Sequence, residues 1–342
     1  MTDASTGPAA DVRLDRTYVS LPEHVAPRLF VVVDTEEEFD WGKPLSRDQV
    51  SVTAMRSIGR LQSVLARWRI VPTYVVDFPI AAQPEGFSHL KELHQSGAAA
   101  IGAHLHPWVN PPFTEPLTPR NSFGCALGAS LETEKIRILR DRIQESFGMQ
   151  PTVFKAGRYG FGPTTAAALE SLDFTVDVSV NPRMDFTAEG GPTFASFDTR
   201  PFFFGRQRRL LEIPCSTDYE GLAARAGRPL HEAASLRPLR WARLVGILAR
   251  LGIVNRVMLS PEGHTLAEMK AVTRSLFHRG IRTFSLTMHS PSVQPGCTPY
   301  VRNAADLDAF LDRINAYCEF FIGELDGVAS TPDEFCHALQ AA

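Results

Sequence analysis

The chain has 342 residues, of which 44% are hydrophobic and 21% charged, with a formal net charge of −3. That much apolar sequence can bury a sizeable core, and an ordinary charge content excludes bulk disorder. The near-balanced charge leaves no footprint for nucleic acid or for an anionic membrane surface, so neither is expected as a partner.

Residues 1–27 read as a flexible leader rich in Ala, Pro, Asp and Thr. The stretch is polar and has no apolar core, unlike a secretory signal. Leu29-Phe30-Val31-Val32-Val33 is continuously apolar and β-branched, the pattern of a strand buried on both faces. Met55, Ile58, Leu61 and Leu65 recur at helical spacing, and VPTYVVDF is again strand-like. The alternation continues: helix 87–96 before AAAIGAH, helix 131–147 before TVFKAG, helix 163–172 before FTVDVSV. LLEIP follows as a strand, helix 232–251 precedes RVMLS, helix 265–278 precedes RTFSLTMH, and a last helix spans 304–325.

About eight strands separated by about seven helices argue for a parallel sheet with helical crossovers. Spread evenly over residues 28–342, the pattern predicts an α/β fold closed into a single barrel domain rather than two Rossmann halves. No GxGxxG or Walker glycine pattern follows a strand, which disfavours a nucleotide site. Three long connections, 107–130, 182–209 and 214–230, follow predicted strands, on the face where barrel enzymes place their chemistry. The five cysteines are scattered and form no CxxC pair, so a disulfide framework is not expected, and a reducing, cytoplasmic setting fits. No run of about 18 apolar residues predicts a transmembrane segment.

Polar residues fall at the strand ends. Asp34 and Glu36 close the first strand, and alternation puts them on one face with Glu37 on the other. Two carboxylates so close raise each other's pKa unless a metal offsets one charge, leaving the other as a base. An acidic turn capping the next helix explains the same residues. His104 and His106, at i and i+2 on an extended segment, share a face and suit two ligands of one ion. Core histidines with hydrogen-bond partners are the bland alternative. Pro107 and Trp108 follow, Trp108 being a candidate sugar-stacking wall or plain packing. In Phe154-Lys155-Ala-Gly-Arg158-Tyr159-Gly160, a tight turn could bring Arg158 to orient Asp34, unless it is a surface turn. His289 ends the last strand, where a histidine of near-neutral pKa could protonate a leaving group. A carboxylate and two imidazoles meeting at one barrel face could hold zinc or a similar divalent ion.

Taken in order, these segments resemble the polysaccharide deacetylases, the NodB-homology group of carbohydrate esterase family four, and within it the WalW-type branch. The resemblance covers about residues 29–325 and implies a distorted (β/α)7-8 barrel that uses a divalent metal, most often Zn2+, to hydrolyse N- or O-acetyl groups on sugars. It implies Asp34 as the base and Glu36 as a metal ligand, with Asp-Thr-Glu in place of the usual adjacent Asp pair. His104 and His106-Pro107 match the two metal histidines at a shortened spacing. Lys155 sits where the family's base-orienting Arg aligns, with Arg158-Tyr159-Gly160 as a substitute three residues on. Asp177-Val-Ser179 resembles the fourth motif, and Leu286 to His289 matches the last, making His289 the catalytic acid. Lys155, Asp177, Trp108 and Tyr159 are expected near the substrate, with a backbone N–H near Tyr159 stabilising the oxyanion; Trp41, Phe113 and Phe123 are further candidate walls.

The expected function is removal of acetyl groups from a saccharide or glycoconjugate precursor. Two rival readings remain: an amidohydrolase of a small ureide such as allantoin, and a carbohydrate-binding barrel that has lost its chemistry. Glu37, Glu38 and Asp40 have no assigned role.

Overall fold

A computed structural model describes residues 12–40, 42–207, 209–234 and 244–341. Among the described residues there are twelve strands: β1 (Thr17–Tyr18), β2 (Arg28–Thr35), β3 (Thr73–Val76), β4 (Ala100–Leu105), β5 (Val153–Ala156), β6 (Val176–Asp177), β7 (Phe202–Phe204), β8 (Leu210–Glu212), β9 (Thr217–Glu220), β10 (Asn255–Met258), β11 (Thr283–His289) and β12 (Val328–Ala329). The main sheet runs β1-β7-β8-β6-β5-β4-β3-β2-β11, and β12 adds to β2 beside Arg28 and Leu29. From β8 through β11 every pairing along that path is parallel. Helices form the crossovers, among them Ile58–Arg67, Pro84–Gln95, Ala129–Phe147, Pro163–Ser171 and Leu266–His278. This is the α/β barrel that the alternation predicts.

The barrel is distorted where β8 should meet β11. There the connection is made by short irregular segments: Cys215 N–H donates to Val180 O (2.9 Å), Leu259 N–H to Ser216 O (2.8 Å) and Thr287 N–H to Leu259 O (3.1 Å). Ser216 Oγ and Pro214 O complete the join by bonding Ser285. RVMLS is therefore not another parallel barrel strand. Asn255–Met258 pairs antiparallel with Thr217–Glu220 in a separate ribbon. The partner TDYE falls inside the expected 214–230 loop, because two acidic residues hide a strand whose Thr and Tyr suit the pleat. The same happens at Phe202–Phe204, which lies in the expected 182–209 loop but pairs with β8. The expected helix 232–251 is seen as Gly227–Ala234 and Leu244–Arg250, its middle lying outside the described residues.

Part of the expected leader is tied down. Thr17 and Tyr18 pair antiparallel with Phe203 and Phe202, Val12 is buried, and Arg16 lies 4.2 Å over the Phe197 ring. At the other end Pro332–Gln340 is an additional helix, opened by a reciprocal capping box between Thr331 and Glu334. Its Phe335 and Cys336 join Phe30, Val32, Val75 and Val153 in one apolar cluster.

That cluster explains the position of the site. On β2, Leu29, Val31 and Val33 face the main helix-side core, while Phe30 and Val32 face the second cluster. Alternation carries the Phe30–Val32 face on to Asp34. Val153 leads likewise to Lys155 on β5. On β4 the corresponding position is Gly102, where a Cβ would stand 2.8 Å from Val153 O and 2.9 Å from Val75. Only glycine lets the strands approach there, two residues before His104.

Candidate active site

Register brings the first pieces together. Asp34 and His289 are opposite one another on β2 and β11, and His104 is opposite Lys155 on β4 and β5. They open into a cavity of about 560 Å³ whose lining also includes Glu36, His106, Tyr159 and Phe186.

Asp34 is held by Lys155, whose Nζ donates to both carboxylate oxygens at 2.6 and 2.8 Å. Both side chains are buried. Burial alone would raise the Asp34 carboxyl, but Lys155 and the neighbouring histidines outweigh it and hold the group below its ordinary value. Burial likewise works against the Lys155 charge and Asp34 restores it, so that the ammonium is held above its usual range. Asp34 is thus an ionised, oriented carboxylate.

Glu36, His104 and His106 form a second group whose ligand atoms all lie within 4.8 Å of one another. Both Nε2 atoms point at Glu36 Oε2, at 3.5 Å from His104 and 3.3 Å from His106. The opposite ring nitrogens are anchored: His104 Nδ1 on the Lys155 carbonyl (3.2 Å) and His106 Nδ1 on Glu37 Oε2 (2.8 Å). Anchoring Nδ1 through its hydrogen leaves a lone pair on Nε2, the arrangement of ligating imidazoles. Burial pushes His106 down to about 4 and lowers His104 as well, so both rings are neutral. Glu36 Oε1 is buried with no hydrogen-bond partner. A buried carboxylate oxygen without a partner is costly, and the other oxygen of the same carboxylate, Oε2, is the one that faces the two imidazole Nε2 atoms. The donor set fits a divalent cation with nitrogen and oxygen ligands.

His289 sits across from this group, with Nε2 3.9 Å from Asp34 Oδ2. Its Nδ1 is 2.6 Å from Glu262 Oε2. Glu262 is itself buried and fixed by the His289 N–H and the Ser292 hydroxyl. Burial opposes the charged imidazole, but Glu262, Glu36 and Asp34 prevail and raise it to about 10. The resting form is an imidazolium. Glu262 lies outside every segment that the sequence motifs single out. The S-P-E-G-H run containing it follows RVMLS, and only the irregular closure of the barrel brings it behind His289.

Several expected contacts are corrected. Arg158 does not reach Asp34; Lys155 fills that role, because it lies within β5 on the barrel's inner face whereas Arg158 lies in the turn beyond. Arg158 and Tyr159 take left-handed backbone angles (φ 52° and 58°), conformations that cost energy outside glycine and gather at functional turns. The Arg158 guanidinium bonds Ser122 Oγ (2.6 Å) and Glu189 and covers the Phe123 ring. It lines the cavity as part of a wall. Lys155 is correspondingly a partner of Asp34, not a free substrate contact.

Trp108 is buried, stacked on the His106 ring (4.2 Å between centroids), with its indole N–H on Glu37 Oε1 (2.9 Å). Its face is committed to His106, so it is not an open stacking wall. Tyr159 does line the cavity, its ring stacked 5.5 Å from Phe186. Phe123 is fully buried and Phe113 packs under Arg47 and Lys135; Trp41 lies outside the described residues.

Asp177 is fully buried and is not among the cavity residues. It accepts from Ser179 Oγ (2.6 Å) and pairs with Glu212 on the neighbouring strand. Burial raises both carboxyls, Glu212 well above its ordinary value. A carboxyl raised in the folded state costs stability as pH climbs above its unfolded value near 4.3. Glu212→Gln keeps the donor to Asp177 without that cost. It is expected to raise the melting temperature by about 2 °C at pH 8, with the gain vanishing near pH 4; thermal melts at the two pH values check this.

No family model matches the chain, and no curated protein matches it in sequence. Solved structures do. One of Mycobacterium smegmatis, provisionally named a polysaccharide deacetylase, superposes with a TM-score of 0.57 at 14% identity, covering 96% of each chain. A Parabacteroides distasonis structure, provisionally named a glycoside hydrolase/deacetylase, gives 0.58 at 11% identity, over 94% of this chain and 73% of its own. A Pseudomonas aeruginosa structure, provisionally named a polysaccharide deacetylase, gives 0.51 at 13% identity, over 92% and 91%. The chain therefore has the NodB-type barrel fold seen in deacetylases of carbohydrate esterase family four.

Proposed function

We propose that the chain is a metal-dependent hydrolase that removes acetyl groups from a saccharide or glycoconjugate precursor, of the WalW-type branch of carbohydrate esterase family four. The convergence of Glu36, His104 and His106 beside two separately buttressed proton-transfer groups, Asp34–Lys155 and His289–Glu262, carries this reading. A solvated acidic turn would not leave Glu36 buried against two histidine rings, with Oε2 facing both Nε2 atoms.

Glu36, His104 and His106 would hold the ion, zinc by the character of its ligands. When bound, it supplies Lewis acidity toward the acyl carbonyl and acidifies water. Asp34, kept ionised by Lys155, takes a proton from the attacking water as the water oxygen bonds the acetyl carbon. His289, kept protonated by Glu262, gives its proton to the leaving nitrogen or oxygen as the bond to the acetyl carbon breaks. Acetate and the free amine or alcohol result. Tyr159 and Phe186 offer an aromatic wall for a sugar ring.

Among the described residues no helix is long and apolar enough to cross a membrane. The five cysteines are unpaired, which suits the reducing compartment proposed for the protein.

Dialysis of the purified protein against a chelator is expected to abolish release of acetate from N- or O-acetylated sugars, and one equivalent of zinc to restore it. Full activity in the chelated protein would overturn the reading. Allantoin in the same assay is expected to be inert; its hydrolysis, with acetylated sugars untouched, would replace the proposed substrate class by cyclic ureides.

A further inference from the structure

The most heavily buttressed group around the cavity is one that the proposed reaction does not use. Glu37 is fully buried, although alternation turns it away from Asp34 and Glu36. Its Oε2 is 2.8 Å from His106 Nδ1 and its Oε1 accepts the Trp108 indole N–H at 2.9 Å. Its backbone N–H donates to Asp77 Oδ2 (2.8 Å). Asp77 is fixed in turn as the cap of the short helix Phe78–Ala82, accepting from the Ile80 N–H. Trp108, held from below by Glu37, stacks on the face of the same imidazole that Glu37 bonds at its edge. The ring is therefore restrained in position and in rotation about its own axis.

His104 is treated differently. Its Nδ1 meets a backbone carbonyl, that of Lys155, which no side-chain substitution removes. His106 lies one residue past the end of β4, and its Nδ1 meets a side chain, Glu37 Oε2, with Asp77 Oδ2 behind it at 4.0 Å. The orientation of that imidazole therefore rests on side chains, Glu37 at its edge and Trp108 on its face.

Resting on the proposed metal site, we propose that Glu37 is the positioning residue of that site. It holds His106 in the Nδ1-protonated tautomer with Nε2 facing Glu36, and Trp108 and Asp77 hold Glu37 in place. This assigns a function to the third acidic residue of the Asp34-Thr-Glu-Glu-Glu run: the run encodes a base, a ligand and the orienter of a second ligand.

The test reads metal affinity, not turnover. Zinc is titrated into the chelated full-length protein against a chromophoric competitor, for the wild type and for Glu37→Gln. His106 and Trp108 meet different oxygens of Glu37, so the amide must turn its NH2 group toward one of them. Zinc affinity is expected to fall about 10- to 100-fold, as at other orienting carboxylates behind metal histidines. Equal affinity in the two proteins would overturn the inference and leave the metal site standing, whereas a wild type that binds no divalent ion would remove both. Because Glu37→Gln could fail to fold, a second measurement uses the wild type alone. In the metal-free protein with 15N-labelled histidine, where no ion fixes the tautomer, His106 is expected to show a slowly exchanging Nδ1 proton. An Nε2-protonated His106 would refute the assignment.

Discussion

Asp34→Asn is expected to lower acetate release by about 10²- to 10⁴-fold, the range of a positioned general base, while zinc stoichiometry stays that of the wild type. The separation follows from the geometry. Asp34 bonds Lys155 and faces His289, whereas the proposed ligands are Glu36, His104 and His106, anchored through Lys155 O and Glu37. Asparagine keeps the shape and one acceptor for Lys155 but carries no charge. The substitution also leaves a buried ammonium without its counter-charge, which costs about 3–5 kcal/mol where it cannot be relieved. Lower thermal stability should therefore accompany the lost turnover. Asp34→Asn/Lys155→Met separates the two effects, since removing both charges should recover stability but no activity. Substantial acetate release by Asp34→Asn would reject the base, and loss of zinc from it would reject the division of roles.

The second large effect is at Glu262. Its carboxylate at 2.6 Å helps raise His289 to about 10, so the acid form is present through neutral pH and disappears as pH rises through the folded value. Glu262→Gln removes the opposite charge, and such a charge shifts a neighbour by about 1–3 units. The alkaline limb of kcat/KM should move down in pH by that amount, while the acid limb, set by Asp34, stays in place. The same linkage acts on stability. The His289–Glu262 pair stabilises fully below the unfolded histidine value near 6.5 and loses that contribution as pH rises through the folded value. The variant should therefore be destabilised most in acid and least in alkali. An unmoved alkaline limb would show that another group donates the proton.

How legible was this from the sequence? The parallel strands were, because Leu29–Val33 and its successors are apolar on both faces and spaced by amphipathic helices. So were Asp34, Glu36, His104 and His106, because alternation on an extended chain decides which side chains share a face. What escaped was whatever depends on the non-repetitive closure between β8 and β11. TDYE is too acidic to advertise a strand, and Glu262 reaches His289 only because that closure departs from the barrel's repeat. Arg158 was misplaced for another reason: its charge suggested an orienter, but the left-handed turn at 158 and 159 decides where its guanidinium goes. Alternation puts Glu37 on the opposite face from Asp34, and its side chain bonds His106 and Trp108. Local alternation could not show that the residue it would face there is His106, from a different strand.

Lys155 joins the two halves of the centre through different atoms: its carbonyl anchors His104, and its ammonium holds Asp34. A codon change at 155 that spares the backbone leaves the first contact and deletes the second. Under the proposed function, one change at 155 would remove turnover while the proposed ion ligands keep their anchors. The reverse step is as short. Under that proposal, a lineage changed at this position alone would stand one substitution away from the proposed activity.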